Sequence, residues 1–346
     1  MPVLYRKYRP QAWSEVIGQD EIVNTLKESA KLKRLSHAYL FSGSRGTGKT
    51  TTARIFARSV ETADEDVYEI DAASNRGIDD IRELREHVSV LPFTSPYKVY
   101  IIDEVHMLSK DAWNALLKTL EEPPKHVIFI LATTELDKVP ETIVSRCQTF
   151  TFRRPNREVI RKHVLDVATK EGLKLDPGAA DLIAMLGDGS FRDALGTLEK
   201  VIATSKDSLD SARDKKQLTR EEVEAITGAP KASLVNTYIA ALLKKDCDMA
   251  LEALAQADRS GLSINTLATL ILEKARFILL LANSASARAD IEKRLSSDDF
   301  AFVEEMAKTK ALTPAILEML LGAVEGINRA RIGILPLEMV SVRVCG

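Results

Sequence analysis

Eight consecutive residues, Gly43-Ser44-Arg45-Gly46-Thr47-Gly48-Lys49-Thr50, have the types and spacing to hold a chain of phosphates. They fit G-x-x-x-x-G-K-[ST]. Glycines lack a Cβ, so backbone N–H groups can close around phosphate oxygens. Lys49 would set a point charge at the terminal phosphates, and Thr50 would give a hydroxyl to Mg²⁺. Thr51 follows in the first turn of a helix whose N-terminus adds its positive dipole end. Further on, the apolar run Val99-Tyr100-Ile101-Ile102 ends in Asp103-Glu104. Asp103 would hold Mg²⁺, directly or through water. Glu104 would orient or deprotonate an attacking water. Alone, such a run is a common strand ending at an acidic turn. Downstream of Lys49-Thr50 it reads as the second half of a site that hydrolyses a nucleoside triphosphate.

Three more positions carry possible chemistry. Thr133-Thr134 ends another apolar run, and a hydroxyl there could hold the water opposite the γ-phosphate. Arg146, in Ser145-Arg146-Cys147, ends a short helix. It is either a surface charge or an arginine that reaches the phosphate of a neighbouring subunit. Arg192 falls in the first turn of a helix, where a cation opposes the helix dipole, so a ligand-facing role is favoured.

The elements that must position these residues alternate over roughly the first 150 residues, as expected for a parallel α/β sheet. Strands are predicted at 37–42, 67–70, 98–103, 127–134 and 148–152. Helices are predicted after the phosphate loop, at 78–90 and at 109–120 with Ser109 as N-cap. From Asn156 the pattern turns helical: a helix to Lys170, a breaker at Asp176-Pro177-Gly178, and helical signal to about Ser205. The polar stretch 204–220 reads as a linking loop. Helical periodicity then resumes at Glu221, and the nearly all-apolar 267–281 reads as a buried core helix.

With 346 residues, the chain has room for two or three domains. At 45% hydrophobic and 28% charged it can build a large core without staples. Lys and Arg total 48 against 50 Asp and Glu, so any basic surface must be local. Three distant cysteines give neither a metal-ligand spacing nor a disulfide framework, which fits a reducing cytoplasm. No apolar run approaches the ~18 residues of a membrane span.

Taken together, these residues resemble the AAA+ ATPases, and within them the clamp loaders of the bacterial DNA polymerase III gamma/tau family. The resemblance rests on Tyr8-Arg9-Pro10, Val16-Ile17-Gly18-Gln19, 42–50, Ile70-Asp71-Ala72-Ala73-Ser74, 103–108, 117–124, Leu131-Ala132-Thr133-Thr134, Ser145-Arg146-Cys147 and 189–195. It is close over about the first 200 residues and a matter of pattern beyond. It implies an α/β P-loop core (1–156), a helical lid (157–222) and an all-α collar (223–346) that assembles the ring. Lys49, Thr50, Asp103 and Glu104 then take the nucleotide, Mg²⁺ and water roles. Thr134 is similar to sensor 1, Arg146 to the finger given in trans, and Arg192 to sensor 2. Arg9, Pro10, Val16 and Ile17 lie where the adenine is held, and Arg76-Gly77 where a helix opening tracks template phosphates. ATP, Mg²⁺, delta- and delta-prime-type subunits, a sliding clamp and primed DNA are the implied ligands and partners, with no membrane. The chain departs from the family in one respect: Ser59 to Asp66 simply bridges a helix and a strand where a four-cysteine zinc module is usual. No zinc is therefore expected. It also stops where the longer tau form would continue.

Fold class alone leaves rivals open. A non-hydrolysing AAA+ scaffold would not need Lys49, Thr50, Asp103 and Glu104 together. Asp103-Glu104-Val105-His106 fits the DExH helicase string, but one such half followed by helices lacks the tandem arrangement of a helicase monomer; His106 reads as structural at the turn. A ring-shaped branch-migration motor is the third rival.

Overall fold

The computed structural model describes residues 3–74, 77–209, 217–292 and 294–346. The chain divides into two compact units: Met1–Ile160 with Gly187–Asp193, and Arg161–Leu186 with Ala194–Gly346.

The first unit is built on five parallel strands: β1 (Ala38–Ser42), β2 (Val67–Asp71), β3 (Lys98–Asp103), β4 (Val127–Thr133) and β5 (Gln148–Thr151), in the order β2-β3-β4-β1-β5. Its helices are α1 (Leu4–Lys7), α2 (Asp20–Lys31), α3 (Lys49–Ser59), α4 (Ile78–Val88), α5 (Lys110–Glu121) and α6 (Glu141–Val144). Every residue of β1 and β4 is buried. That continuous apolar reading is what a parallel sheet covered on both faces requires. Alternate side chains divide between the faces. Leu40, Tyr100, Ile102, Phe129 and Leu131 pack with Leu84 of α4 and Leu116 of α5. Tyr39, Phe41, Ile101 and Ile130 pack on the other face with Leu26 of α2 and Phe56 of α3. The Ser109 hydroxyl accepts from Ala112 N and starts α5 as expected. Asp66, fully buried, accepts from the backbone amides of Phe93, Thr94 and Ser95. Burial would push its carboxyl up, but those amides, with the Ser95 hydroxyl, outweigh it and hold the group near about 2.

Helix α7 (Arg157–Lys170) starts in the first unit and continues into the second, which carries α8 (Pro177–Leu186), most of α9 (Phe191–Leu209), and then α10 (Arg220–Thr227), α11 (Ala232–Lys244), α12 (Cys247–Arg259), α13 (Ile264–Asn283), α14 (Arg288–Glu292), α15 (Ser297–Thr309), α16 (Pro314–Ile327) and α17 (Leu335–Cys345). The two-residue strands Lys174–Leu175 and Gln217–Leu218 pair in parallel within it. Two sequence expectations change here. The break expected at Asp176-Pro177-Gly178 separates α7 from α8 but ends at Asp176: Pro177 already opens α8, with the Asp176 side chain accepting from Ala179 N. Proline's missing N–H costs nothing in a first turn. And 204–209 is helix, not loop. The Thr204 and Ser205 hydroxyls donate to the carbonyls of Lys200 and Val201, one turn back, so their polarity does not end α9.

A buried ionic cluster pins this unit. Arg220 Nε donates to Glu224 Oε1 at 2.9 Å, and Arg220 Nη1 lies 3.4 Å from Asp299 Oδ2. Lys274 Nζ donates at 2.6 Å to both Asp299 Oδ1 and Asn236 Oδ1. Burial raises the Asp299 carboxyl, but Lys274 and Arg220 prevail and lower it below its ordinary range. Its contribution is therefore full at neutral pH and is lost as the pH falls through that lowered value. Arg220→Ala would strand Glu224 and Asp299. A loss of roughly 3–5 kcal/mol is expected, read by urea unfolding followed on the second unit.

Candidate active site

The phosphate loop leaves β1 at Gly43 and enters α3 at Lys49. Gly43 (φ 144°), Gly46 (φ 74°) and Gly48 (φ 101°) all adopt backbone angles that favour glycine. A Cβ on Gly46 would stand 1.9 Å from the Ser190 hydroxyl oxygen, and Phe191 N donates to Gly46 O at 3.2 Å. The segment carrying Arg192 thus lies directly on the loop. Lys49 is buried and its Nζ donates to Gly43 O (2.7 Å) and Ser44 O (3.0 Å), closing the loop on itself. Burial pushes the Lys49 ammonium down; Glu104 and Asp103 oppose that. Thr47 Oγ1 donates to Ser44 O, fixing the turn from inside.

β3 delivers the carboxylates to the same end of the sheet. Thr50 Oγ1 donates to Asp103 Oδ2 at 2.6 Å. A hydroxyl and a carboxylate oxygen held this close are the hard oxygen donors that suit Mg²⁺, so the donor set fits that ion. Glu104 has a left-handed backbone (φ 49°, ψ 44°), a conformation that few residues with a side chain adopt. Thr134 Oγ1 donates to Glu104 Oε2 at 3.0 Å. The neighbouring Thr133 is fully buried and its hydroxyl turns to Glu135 instead, donating to its carbonyl and accepting from its N–H.

Other sequence-named positions stand apart. Register pairs Tyr39 with Gln148 at the N-terminal end of the sheet, and Arg146 lies in the turn two residues before Gln148. The phosphate loop leaves the opposite end of β1. Arg146 pairs with Glu121 at 2.8 Å and donates to Thr142 O at 2.7 Å. Arg192 is exposed, with its guanidinium 4.8 Å from the centre of the Tyr5 ring. Arg9 is half-buried; burial and then the nearby Arg54 lower its affinity for its proton. Pro10 and Val16 are half-buried and Ile17 is exposed. The buried Gln19 beside them donates to Arg153 O (2.7 Å) and accepts from Arg153 N (3.2 Å), tying this segment to the end of β5. Arg45 and Ser44 lie in the loop itself, and Thr51 is half-buried in the first turn of α3. Arg76 lies outside the described residues, while Gly77 is described and exposed. The three cysteines are free, and among the described residues no group of three or more His, Cys, Asp or Glu gathers as a metal cluster. No described helix is long and apolar enough to cross a membrane.

Comparison with known proteins sets this geometry in a family. Residues 18–75 and 61–156 match the model described as DNA polymerase III, delta subunit. Residues 159–207 match DNA polymerase III clamp loader subunit, ATPase lid domain, and 218–346 match DNA polymerase III subunits gamma and tau domain III. The Bacillus subtilis DNA polymerase III subunit tau is 41% identical over 330 residues, which is 89% of this chain and 57% of that protein. The chain belongs to the DNA polymerase III gamma/tau family.

The gamma/tau subunit of Mycoplasma pneumoniae is 43% identical over 232 residues, covering 61% of this chain and 34% of its own length. The Escherichia coli tau subunit is 36% identical over 281 residues, 75% and 42% respectively. The chain therefore spans between about a third and three-fifths of these gamma/tau relatives. The Thermotoga maritima RuvB Holliday junction branch migration motor is 19% identical with a TM-score of 0.54, over 91% of this chain and 98% of that one, a likeness of AAA+ fold. Three residues border the site without a role legible for them in the sequence: His106, expected only as a structural turn residue, Glu135 and Ser190. The D-E-x-H spacing was the available signal for His106. Nothing local announced that Ser190 would land on Gly46.

Proposed function

We propose that this chain is the ATP-hydrolysing motor subunit of a clamp loader, working in a hetero-oligomeric ring that opens a sliding clamp and loads it onto primed DNA. The carrying observation is the pair of contacts at one end of the sheet, Thr50 to Asp103 and Thr134 to Glu104, beside a glycine cradle closed by Lys49, in a chain of the gamma/tau family. Bound Mg²⁺ would neutralise charge on the β- and γ-phosphate oxygens. Thr50 and Asp103 would hold that ion. Lys49 would exchange the carbonyls of Gly43 and Ser44 for the terminal phosphates. Glu104, oriented by Thr134, would take the proton of the attacking water. Arg192 would leave the Tyr5 ring for the same nucleotide, while Arg9, Pro10, Val16 and Ile17 would border the base. No zinc enters this reading, since three scattered cysteines cannot supply a four-cysteine site.

A division into a core to 156, a lid from 157 to 222 and a collar from 223 draws support from three separately matched segments, 18–156, 159–207 and 218–346, the last of which begins a few residues before the proposed collar. Partner subunits would meet the collar. On α17, Leu335, Met339 and Val342 leave one helical face exposed, and Ile332 and Leu321 are exposed nearby in sequence and on α16. Mixing the chain with delta- and delta-prime-type subunits, a sliding clamp and primed DNA should raise ATP turnover above that of the chain alone. No stimulation by clamp and DNA together would remove the loading role.

Lys49→Ala is expected to abolish nucleotide binding, because it removes both the charge at the terminal phosphates and the brace on the loop. Titration with a fluorescent ATP analogue reads this directly; wild-type affinity would mean the loop is misassigned. DNA contact is proposed at Arg76 and Gly77. Arg76→Ala should weaken DNA binding evenly across sequences and lower the salt slope by about 0.7–0.9, the share of one phosphate contact. A loss confined to some sequences would contradict a phosphate contact.

A further inference from the structure

His106 lies two residues past Glu104, in the short turn Val105–Met107 that follows β3. Its imidazole is 7% exposed. Nδ1 is 3.1 Å from Thr133 Oγ1 and 3.5 Å from Glu104 Oε2, while Nε2 is 3.3 Å from Glu135 Oε1. The Thr133 hydroxyl already gives its proton to Glu135 O, so toward Thr133 the ring nitrogen must be the donor. Thr134 Oγ1 donates to Oε2 of Glu104, and the His106 Nδ1–H, directed at Thr133, passes 3.5 Å from that same oxygen as a weaker, electrostatic contact. That leaves Oε1 as the oxygen to meet a water. The far side of the ring meets Glu135, which Lys138 holds at 2.7 Å.

We infer that His106 is a positioning residue for Glu104, a buried bracket that fixes its carboxylate against the end of β4. The inference rests on the reading of Glu104 as the water-activating group. Glu104 needs such a bracket. Its backbone is left-handed, a conformation that surrounding contacts must maintain, and a carboxylate held by one threonine alone could swing about χ2 and χ3. His106 adds a rigid planar partner whose own orientation is set by Thr133 and Glu135, both from the end of β4. A displacement of that strand end by a bound nucleotide would be passed to the carboxylate through the ring.

The test compares His106→Leu, His106→Asn and Glu104→Gln in the full chain. Asparagine can place an N–H close to the position of Nδ1; leucine cannot. His106→Leu should lower kcat by at least tenfold while the affinity for a non-hydrolysable ATP analogue stays within twofold. His106→Asn should recover most of that loss, and adding His106→Leu to Glu104→Gln should cost nothing further. In nucleotide-free protein, the carboxyl carbon resonance of Glu104, assigned by its absence in Glu104→Gln, should move in the leucine variant and return toward wild type in the asparagine one. If the leucine variant does not fold, Glu135→Gln, which releases the far side of the ring, takes its place with a smaller kcat loss expected. Normal turnover in Glu104→Gln would overturn the site reading itself. An inactive Glu104→Gln beside a His106→Leu of wild-type kcat, or an asparagine variant no better than leucine, would overturn the bracket alone.

Discussion

Glu104→Gln should bind ATP as tightly as the wild type and hydrolyse it about 10²–10⁴-fold more slowly, the range spanned by loss of a positioned general base. The amide keeps the length and planarity of the side chain, and its oxygen can still accept from Thr134 Oγ1, now 3.0 Å from Oε2. What it lacks is the capacity to take a proton. Binding is made elsewhere, by the cradle, Lys49 and Thr50, so only the chemical step is touched, and kcat should fall with little change in substrate affinity. Asp103 is a poor substitute for the lost base, since in this reading its carboxylate, already accepting from Thr50 and the backbone N–H of Glu104, is committed to Mg²⁺. Single-turnover hydrolysis alongside equilibrium binding separates the two quantities. A variant that turned over normally would make the carboxylate an ordinary acidic turn.

Arg146→Ala should leave ATP binding by the isolated chain intact and depress hydrolysis in the assembled, DNA-stimulated complex. Arginines given in trans contribute roughly 10³–10⁵ in rate in GTPases; a ring with several sites should show a smaller net fall. Arg146 lies in the turn just before the N-terminal end of β5, whereas the phosphate loop follows the C-terminal end of the parallel β1, a placement that favours a neighbour's nucleotide over its own. In the single chain its charge is taken up by Glu121, a partner with nearly half of its side chain exposed and available to be exchanged. Half-exposed pairs of this kind are worth little, on the order of 0–1 kcal/mol, so surrendering the contact to a neighbour's phosphate costs the chain little. Two measurements are needed: nucleotide affinity of the chain alone, and steady-state hydrolysis of the ring. Wild-type turnover in the ring would leave Arg146 as a surface ion pair.

Much of this was legible in the sequence, because the signals are local. Three glycines at fixed spacing specify a loop of backbone angles that other residues resist, and the lysine and threonine follow at set offsets. Continuous apolar runs announced strands buried on both faces, and Ser109 announced the start of α5 where its hydroxyl does cap the helix. Asp103 and Glu104 were named because a strand end is where an α/β sheet presents groups to a ligand. The shift from alternating elements to helices near Asn156 was equally plain.

The tertiary structure decided what depends on residues far apart in sequence. The order β2-β3-β4-β1-β5 brings the ends of β3 and β4 beside β1; no local pattern states which strands are neighbours. Strand parity then chose between two adjacent threonines, since successive side chains face opposite ways: Thr134 meets Glu104, and Thr133 is buried against Glu135 and His106. Polarity misled at 204–209, where hydroxyls bonded back to their own helix; the break expected at Asp176-Pro177-Gly178 does separate two helices, but it ends at Asp176 and Pro177 already opens α8. The imidazole that read as a structural turn residue sits between two carboxylates only because β4 delivers Glu135 to it. Spacing along the chain named the groups able to do chemistry, and the pairing of distant strands determined which of them touch.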